Sequence, residues 1–337
     1  MVLWNSKKKT TKWALLASLC LLMAVVSSER IRLGPHPRAG LGISTPAGAQ
    51  VWAGWLGASW FLNWTTGEPM ADRQLDYWQM VRIQPDRAPD GALPTLADCA
   101  ALARRWPGRV WVIGNEPDNI WQDNVPAEDY AHYYHDYYSA IKGADPSARV
   151  AVAGVSQATP LRLAYLERVL AEYERRYGER MPVDWWTLHG YVLREERGSW
   201  GTDIPPGFDQ DTGLLIEPAG HGDLDLFAQG IRDFRAWMAL NGYRDRPLAL
   251  TEFGILLPVD FGYTPQVVAA YLTGSFTWLD AAIDPATGYP ADSNRLVQRW
   301  AWFSLSDPIY PVANLAELES GRLTPIGLAF RAYVNGQ

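Results

Sequence analysis

The chain has 337 residues, 48% of them hydrophobic and 20% charged, with a formal net charge of −7 and 2 cysteines. That apolar share excludes disorder, collagen and coiled coil, and two cysteines exclude a disulfide scaffold or a zinc ribbon. The acidic balance argues against nucleic acid as the main partner, because phosphate backbones are met by basic faces.

The length fits two ordinary domains or a single α/β barrel. Residues 1–28 read as a targeting segment. Lys7, Lys8, Lys9 and Lys12 form a basic region, and Trp13 to Val26 is an uncharged run of 14 residues. Such a run is short for a spanning helix and suits a signal core. Ser28, with Val26 two before it, offers a small-residue cleavage point; left uncleaved, residues 13–26 would anchor the chain in a membrane. Leu19 stands before Cys20 where a lipoprotein carries a small residue, so that route is rejected. The chain is therefore expected to be secreted or extracytoplasmic, with residues 29–37 a short tether and residues 38–337 one folded domain. Without the leader the net charge becomes −11. Cys99, then the one thiol, falls on the apolar face of a helix as a core residue.

Eight short apolar or aromatic runs read as strands: Ala39–Ile43, Ser59–Trp64, Tyr77–Ile83, Arg109–Gly114, Arg149–Gly154, Asp184–Tyr191, Pro247–Phe253 and Arg299–Leu305. Helical segments follow most of them. Thr95 and Asp98 make a capping box ahead of Leu96, Cys99, Ala103 and Trp106, with Pro107-Gly108 as the stop. Pro126 opens a helix with Tyr130, Tyr134, Tyr137 and Ile141 on one face. Leu166, Val169, Leu170 and Tyr173 repeat the period before Gly178, as do Phe227, Ile231, Phe234 and Met238 before Asn241-Gly242. Thr264-Pro265 starts the helix after the seventh strand. Strands alternating with helices predict a (β/α)8 barrel, with a doubly wound sheet as the alternative. The irregular stretch Arg194–Gly222 would lie at the C-terminal face of such a barrel, where active sites sit.

Two strands end in carboxylates. Trp111-Val112-Ile113-Gly114-Asn115-Glu116-Pro117-Asp118 is an apolar strand running into an Asn-Glu pair, and Pro117 is expected to hold Glu116 extended. Leu248-Ala249-Leu250-Thr251-Glu252-Phe253-Gly254 is the second, and strict alternation puts Leu248, Leu250 and Glu252 on one face, so that Glu252 is expected to point where the barrel interior opens at its rim. Paired carboxylates at separate strand ends are what glycosidic cleavage needs: one stays protonated to donate, the other ionised to attack or to activate water.

On these segments the sequence resembles the clan A glycoside hydrolases over residues 38–335. Within the clan it is most similar to family 128, through Ser59-Trp60-Phe61-Leu62-Asn63-Trp64, Gly114-Asn115-Glu116-Pro117-Asp118 and Trp302-Phe303. The third strand lacks the Pro-Met pair of that family and the loop after the sixth is long, so families 39 and 5 compete. The resemblance implies a retaining hydrolase of O-glycosidic bonds, with Glu116 as acid/base and Glu252 as nucleophile. It further implies that Asn115 bonds a sugar 2-hydroxyl, that His189 and Tyr191 touch the two carboxylates, and that Trp302 lies under the sugar. Asn63 and Trp64 are candidates for the far side of that subsite, and Arg82 for neutralising Glu252 or binding a hydroxyl. A non-catalytic carbohydrate-binding protein on a degenerate barrel is the alternative.

Other signals read blandly. His132 and His135 fall opposite the tyrosine stripe as solvated residues with no third ligand, so no metal is expected. Asp118, Trp121 and Asp123 either line the cleft beyond the cleaved bond or form a solvated loop, and Trp200 either lids the cleft or pins its loop. Glycine spacing nowhere matches a dinucleotide or phosphate loop, so no cofactor is expected.

Overall fold

The computed structural model describes residues 36–44, 49–68, 75–84 and 93–336. The leader, its cleavage point and most of the tether lie outside the described residues. Among the described residues no helix is long and apolar enough to cross a membrane.

Strand β1 (His36–Gly42) leads through α1 (Ala49–Leu56) to β2 (Ala58–Leu62), and the third run is split at Trp78 into β3 (Asp76–Tyr77) and β4 (Gln79–Val81). Helices and strands then alternate as α2 (Leu96–Arg105), β5 (Val110–Ile113), α3 (Ala127–Ala144), β6 (Arg149–Val152), α4 (Pro160–Tyr177) and β7 (Trp186–His189). They continue as α5 (Leu224–Leu240), β8 (Leu248–Phe253), α6 (Pro265–Ala281) and β9 (Arg299–Trp302). A hairpin of β10 (Ala316–Glu317) and β11 (Arg322–Leu323) precedes α7 (Pro325–Val334). Each of the eight predicted runs contains strand, and helices α1 and α7 add to those read from the sequence.

The result is an α/β fold with a curled parallel sheet. One ladder runs β3-β2-β1-β9-β8-β7 and another β4-β5-β6. Isolated parallel bridges from Ala151 to Trp185 and from Val155 to Leu188 link β6 with β7. Because β1 pairs in parallel with both β2 and β9, the first and last units are neighbours and the strand C-terminal ends share one rim. Helix ends follow the expected chemistry. The Asp98 N–H donates to the Thr95 hydroxyl at 3.1 Å while the Thr95 N–H donates to the Asp98 carboxylate at 3.0 Å. Gly178 closes α4 in the left-handed region at φ 69°.

Alternation along the strands builds two apolar layers. Leu41, Phe61, Trp111, Leu188, Leu250 and Trp300 pack outward under the helices. Trp60, Leu62, Trp78, Met80, Val112 and Ala249 fill the inside of the curl. There the Trp60 and Trp78 rings lie 4.6 Å apart and Trp78 meets Trp185 edge-on at 5.2 Å. Of the chain's 17 tryptophans, Trp60 and Trp78 therefore serve as interior filling. Cys99 is buried in the outer layer, and burial pushes its thiol up to about 12. The two histidines of α3 are half-buried and not simply solvated: His135 stacks on Tyr177 at 3.6 Å, and His132 Nδ1 lies 3.0 Å from the Tyr177 hydroxyl, so both pack α3 against α4.

Candidate active site

Glu116 follows β5 through Gly114 and Asn115, but it is not extended. Its φ is +42°, in the left-handed region. Pro117 bars the right-handed helical conformation at the preceding residue, and the local hydrogen bonds select the other fold of the turn. The Glu116 N–H donates to Gly154 O at 3.1 Å, and the Asn119 N–H donates to Glu116 O at 3.1 Å. A non-glycine residue held there carries about 1–3 kcal/mol of strain, of the kind that collects at functional sites. The Asn119 amide then donates to Glu116 Oε2 at 2.7 Å. Sequence reasoning missed Asn119; its position three residues after Glu116 across a Pro-containing turn was the available signal.

Glu252 reaches the inside of the curl by a different device. Leu248 and Leu250 pack outward and Ala249 inward, so strict alternation would send Glu252 toward the helices. The register instead shifts between β7 and β8: Leu188 pairs with Leu250, but His189 pairs with Glu252. Thr251 is the extra residue of this bulge, and the shift turns Glu252 inward while Phe253 returns to the outer layer.

His189 stands between the two carboxylates. Its Nδ1 lies 2.7 Å from Glu116 Oε1 and its Nε2 3.5 Å from Glu252 Oε1. Tyr191 donates to Glu252 Oε2 at 3.2 Å and the Trp64 indole donates to Oε1 at 2.5 Å. Two glycines make room. A Cβ at Gly154 would sit 2.6 Å from the His189 ring, and one at Gly42 would sit 2.7 Å from the Trp64 ring. One oxygen of each carboxylate and a His189 nitrogen lie within 4.8 Å of one another. Among the described residues this is the one group with the side chains to hold an ion, and the mutual hydrogen bonds account for its spacing.

All three groups are buried, and their charges settle against one another. Burial by itself would raise the Glu116 carboxyl, but the His189 hydrogen bond and charge, with Asn119 and Arg162, hold it below the usual carboxylate range. Burial raises Glu252, and the Glu116 charge adds to this against the opposing effects of His189, Trp64 and Tyr191. Burial would lower His189, yet the Glu252 charge and the Glu116 bond and charge raise it above the ordinary imidazole value. The electrostatics thus favour a proton on His189 beside an ionised Glu116.

The two carboxylates open into a cleft of about 340 Å³ at the rim, with His189 buried behind them. Asn115, Arg82, Trp64 and Tyr191 line it, as do Trp121 and Trp200. The Asn115 amide donates to Gln122 Oε1 at 3.2 Å, and its Oδ1 is buried without a hydrogen-bond partner. Phe303, Asp307 and Tyr310, which sequence reasoning missed, form a wall beyond β9. Two expected contacts are elsewhere. Trp302 is fully buried, its indole donates to Ala313 O at 2.9 Å, and it packs edge-on against Phe253 at 5.5 Å. It shares the outward face with Trp300, two residues away, and leaves the cleft to Phe303. Asn63 is likewise on the wrong face: it accepts from the Tyr77 hydroxyl at 2.6 Å in a separate small pocket. Arg82 does not neutralise Glu252; its Nε donates to Asp123 Oδ1 at 2.6 Å. Asp118 and Asp123 are fully buried ion-pair partners of Arg162 and Arg82, not solvated loop residues.

His221 ties two cleft loops together. Its Nδ1 lies 2.8 Å from Val192 O, and the Leu256 N–H donates to Nε2 at 2.8 Å, so the ring is neutral with its proton on Nδ1. Burial pushes its pKa down to about 4. The folded state thus binds fewer protons than the unfolded state below the ordinary value of about 6.5, and stability falls as the pH drops through that interval. Urea denaturation is expected to show a loss of about 2–3 kcal/mol from this group between pH 7 and pH 4.5, absent in His221→Gln.

No family model matches the chain, and no curated protein matches it. Solved structures do. An endo-β-1,3-glucanase of glycoside hydrolase family 128, subgroup I, from Amycolatopsis mediterranei, in complex with laminarihexaose, matches with a TM-score of 0.57 at 17% identity, over 88% of this chain and 98% of that one. A curdlan-specific exo-β-1,3-glucanase of subgroup III from Blastomyces gilchristii, in complex with glucose, matches with a TM-score of 0.58 at 20% identity, over 88% and 98%. A subgroup II endo-β-1,3-glucanase from Pseudomonas viridiflava gives 0.58 at 16% identity over the same shares. The chain resembles the family 128 glycoside hydrolases and has their fold.

Proposed function

We propose that the chain is a retaining glycoside hydrolase acting on a β-1,3-glucan, with Glu116 as acid/base and Glu252 as nucleophile. The observation that carries the reading is the approach of two strand-end carboxylates to within 4.8 Å across His189, in an aromatic-walled cleft. Retaining enzymes keep their carboxyl groups about 5–5.5 Å apart, whereas inverting ones leave about 6.5–9.5 Å for a water. The aromatic faces of Trp64, Phe303 and Tyr310 suit the C–H faces of pyranose rings. The β-1,3-glucanase neighbours support the linkage. The β1–β9 pairing and the β6–β7 bridges support a closed (β/α)8 barrel as the single domain, residues 38–337. The basic and apolar leader supports export, either as a cleaved signal or as an anchor through residues 13–26.

Glu252 attacks the anomeric carbon as the bond to the leaving oxygen breaks, and that oxygen takes the proton from Glu116. Water then gives its proton to Glu116 and its oxygen to the anomeric carbon, freeing Glu252. The flanking carboxylates favour the donated proton on His189. A sugar that fills the cleft excludes water and disfavours the charged Glu116–His189 pair against the neutral one, which moves the proton along the 2.7 Å bond onto Glu116.

The test is hydrolysis of laminarin and curdlan beside cellulose, xylan and mannan, with the first-formed anomer read by proton NMR. β-1,3-Glucan cleavage giving a β product is expected. An α product overturns the retaining mechanism, cleavage of another polymer alone overturns the linkage, and binding without cleavage overturns the enzyme reading.

A further inference from the structure

Beneath Glu116 lies an arginine that the chemistry above does not use. Arg162, in the first turn of α4, is 0% exposed. Its Nη1 donates to Asp118 Oδ2 at 2.8 Å and to the Asp118 carbonyl, two residues beyond Glu116. Its Nη2 donates to the Thr202 hydroxyl at 2.6 Å and to the carbonyls of Thr202 and Asp203. Its Nε donates to Glu195 Oε1 at 2.9 Å, and Glu195 in turn accepts from the Thr159 hydroxyl and the Leu214 N–H. One side of this fork therefore holds the turn that carries the strained Glu116. The other holds Thr202, which lines the cleft together with Trp200 and Gly201.

Stability alone is a poor reason for such a group. Taking a guanidinium and two carboxylates out of water costs several kcal/mol per ion, and apolar side chains of similar volume do as well or better. A planar fork that reaches three loops at once is what positioning requires, and lysine cannot reproduce it. We propose that Arg162 is a positioning residue that locks the acid/base turn to the cleft wall at Trp200–Thr202, so that the placement of Glu116 depends on a wall that meets the substrate. This rests on the reading of Glu116 as acid/base. The charged or titratable groups around Glu116 are His189, Glu252, Asp118, Arg162, Tyr191 and Tyr310; those around Arg162 are Asp118 and Glu195.

The experiment uses Arg162→Lys and, at the wall end, Thr202→Val, which leaves the ion pairs in place. Both are assayed on aryl β-glycosides of one glycone, with aglycone phenols of falling pKa. Protonation matters most for the poorest leaving group, so a misplaced Glu116 should lower kcat/KM there about tenfold or more and within about twofold for the best. An equal loss across the series, as a merely structural role would give, overturns the proposal, and so does no loss. A second readout does not depend on turnover: the carbon-13 titration of the Glu116 carboxyl, assigned with Glu116→Gln. It should move in Thr202→Val, which removes no charge and can reach Glu116 only through its placement, and an unchanged titration overturns the proposal. An unmutated protein that cuts no glycoside overturns the function proposed above, while the Glu116 titration still decides the role of Arg162.

Discussion

Glu252→Gln is expected to lower kcat by at least about 10^4-fold, the scale of removing a nucleophile, while oligosaccharide affinity stays close to that of the unmutated protein. The amide keeps the shape of the side chain: its carbonyl can accept from the Trp64 indole while its NH2 donates to the Tyr191 hydroxyl, so the cleft is preserved and the attacking charge is lost. Isothermal titration with a β-1,3-linked oligosaccharide and single-turnover kinetics read the two quantities. Azide separates the roles of the carboxylates. With Glu116→Ala and an activated aryl β-glycoside, azide should take the place of water on the glycosyl-enzyme and yield the β-glycosyl azide. With Glu252→Ala, azide should attack directly and yield the α-azide. The resting electrostatics, which hold Glu116 down and Glu252 up, make the opposite pairing of products the informative failure: it would exchange the two roles.

Strand existence was legible because each run is a short apolar stretch with a turn after it, and both catalytic candidates sit where such runs turn polar. The side on which a residue falls was legible only where the strand is regular. Trp302 and Asn63 obey alternation and for that reason miss the cleft, whereas Glu252 reaches it only because a bulge at Thr251 breaks alternation. A bulge is a backbone event with no residue signature of its own, so two errors about faces cancelled at Glu252 and did not at Trp302. The buried aspartates were illegible for another reason. Asp118 and Asp123 read as solvated until their partners are known, and Arg162 and Arg82 lie 44 and 41 residues away in the chain. Fold closure brings them together; local pattern does not.

His189→Asn should be the next most damaging change, lowering kcat by about 10²–10³-fold, and its diagnostic is the pH profile. In the proposed mechanism the active form has Glu252 ionised and one proton shared between Glu116 and His189, so the limbs of kcat/KM are expected to report the cluster and not single residues. Burial and the Glu116 charge raise Glu252, which puts the acid limb above the ordinary carboxylate value near 4.5. The flanking carboxylates raise His189, which keeps the shared proton bound to above the imidazole value of 6.5 and sets the basic limb there. Asparagine can still donate to Glu116 but carries no proton to share. Glu252 then loses the cation that opposed its burial, so the acid limb moves up. Glu116 loses the cation that held it down and must keep the donated proton on its own carboxyl, so the basic limb becomes that of a buried carboxylic acid next to a carboxylate. Both limbs therefore move. A rate loss that is uniform from pH 3.5 to pH 8.5, with both limbs unmoved, would make His189 a spacer that holds Glu116 in place, and the proton on the 2.7 Å bond would have no part in the reaction.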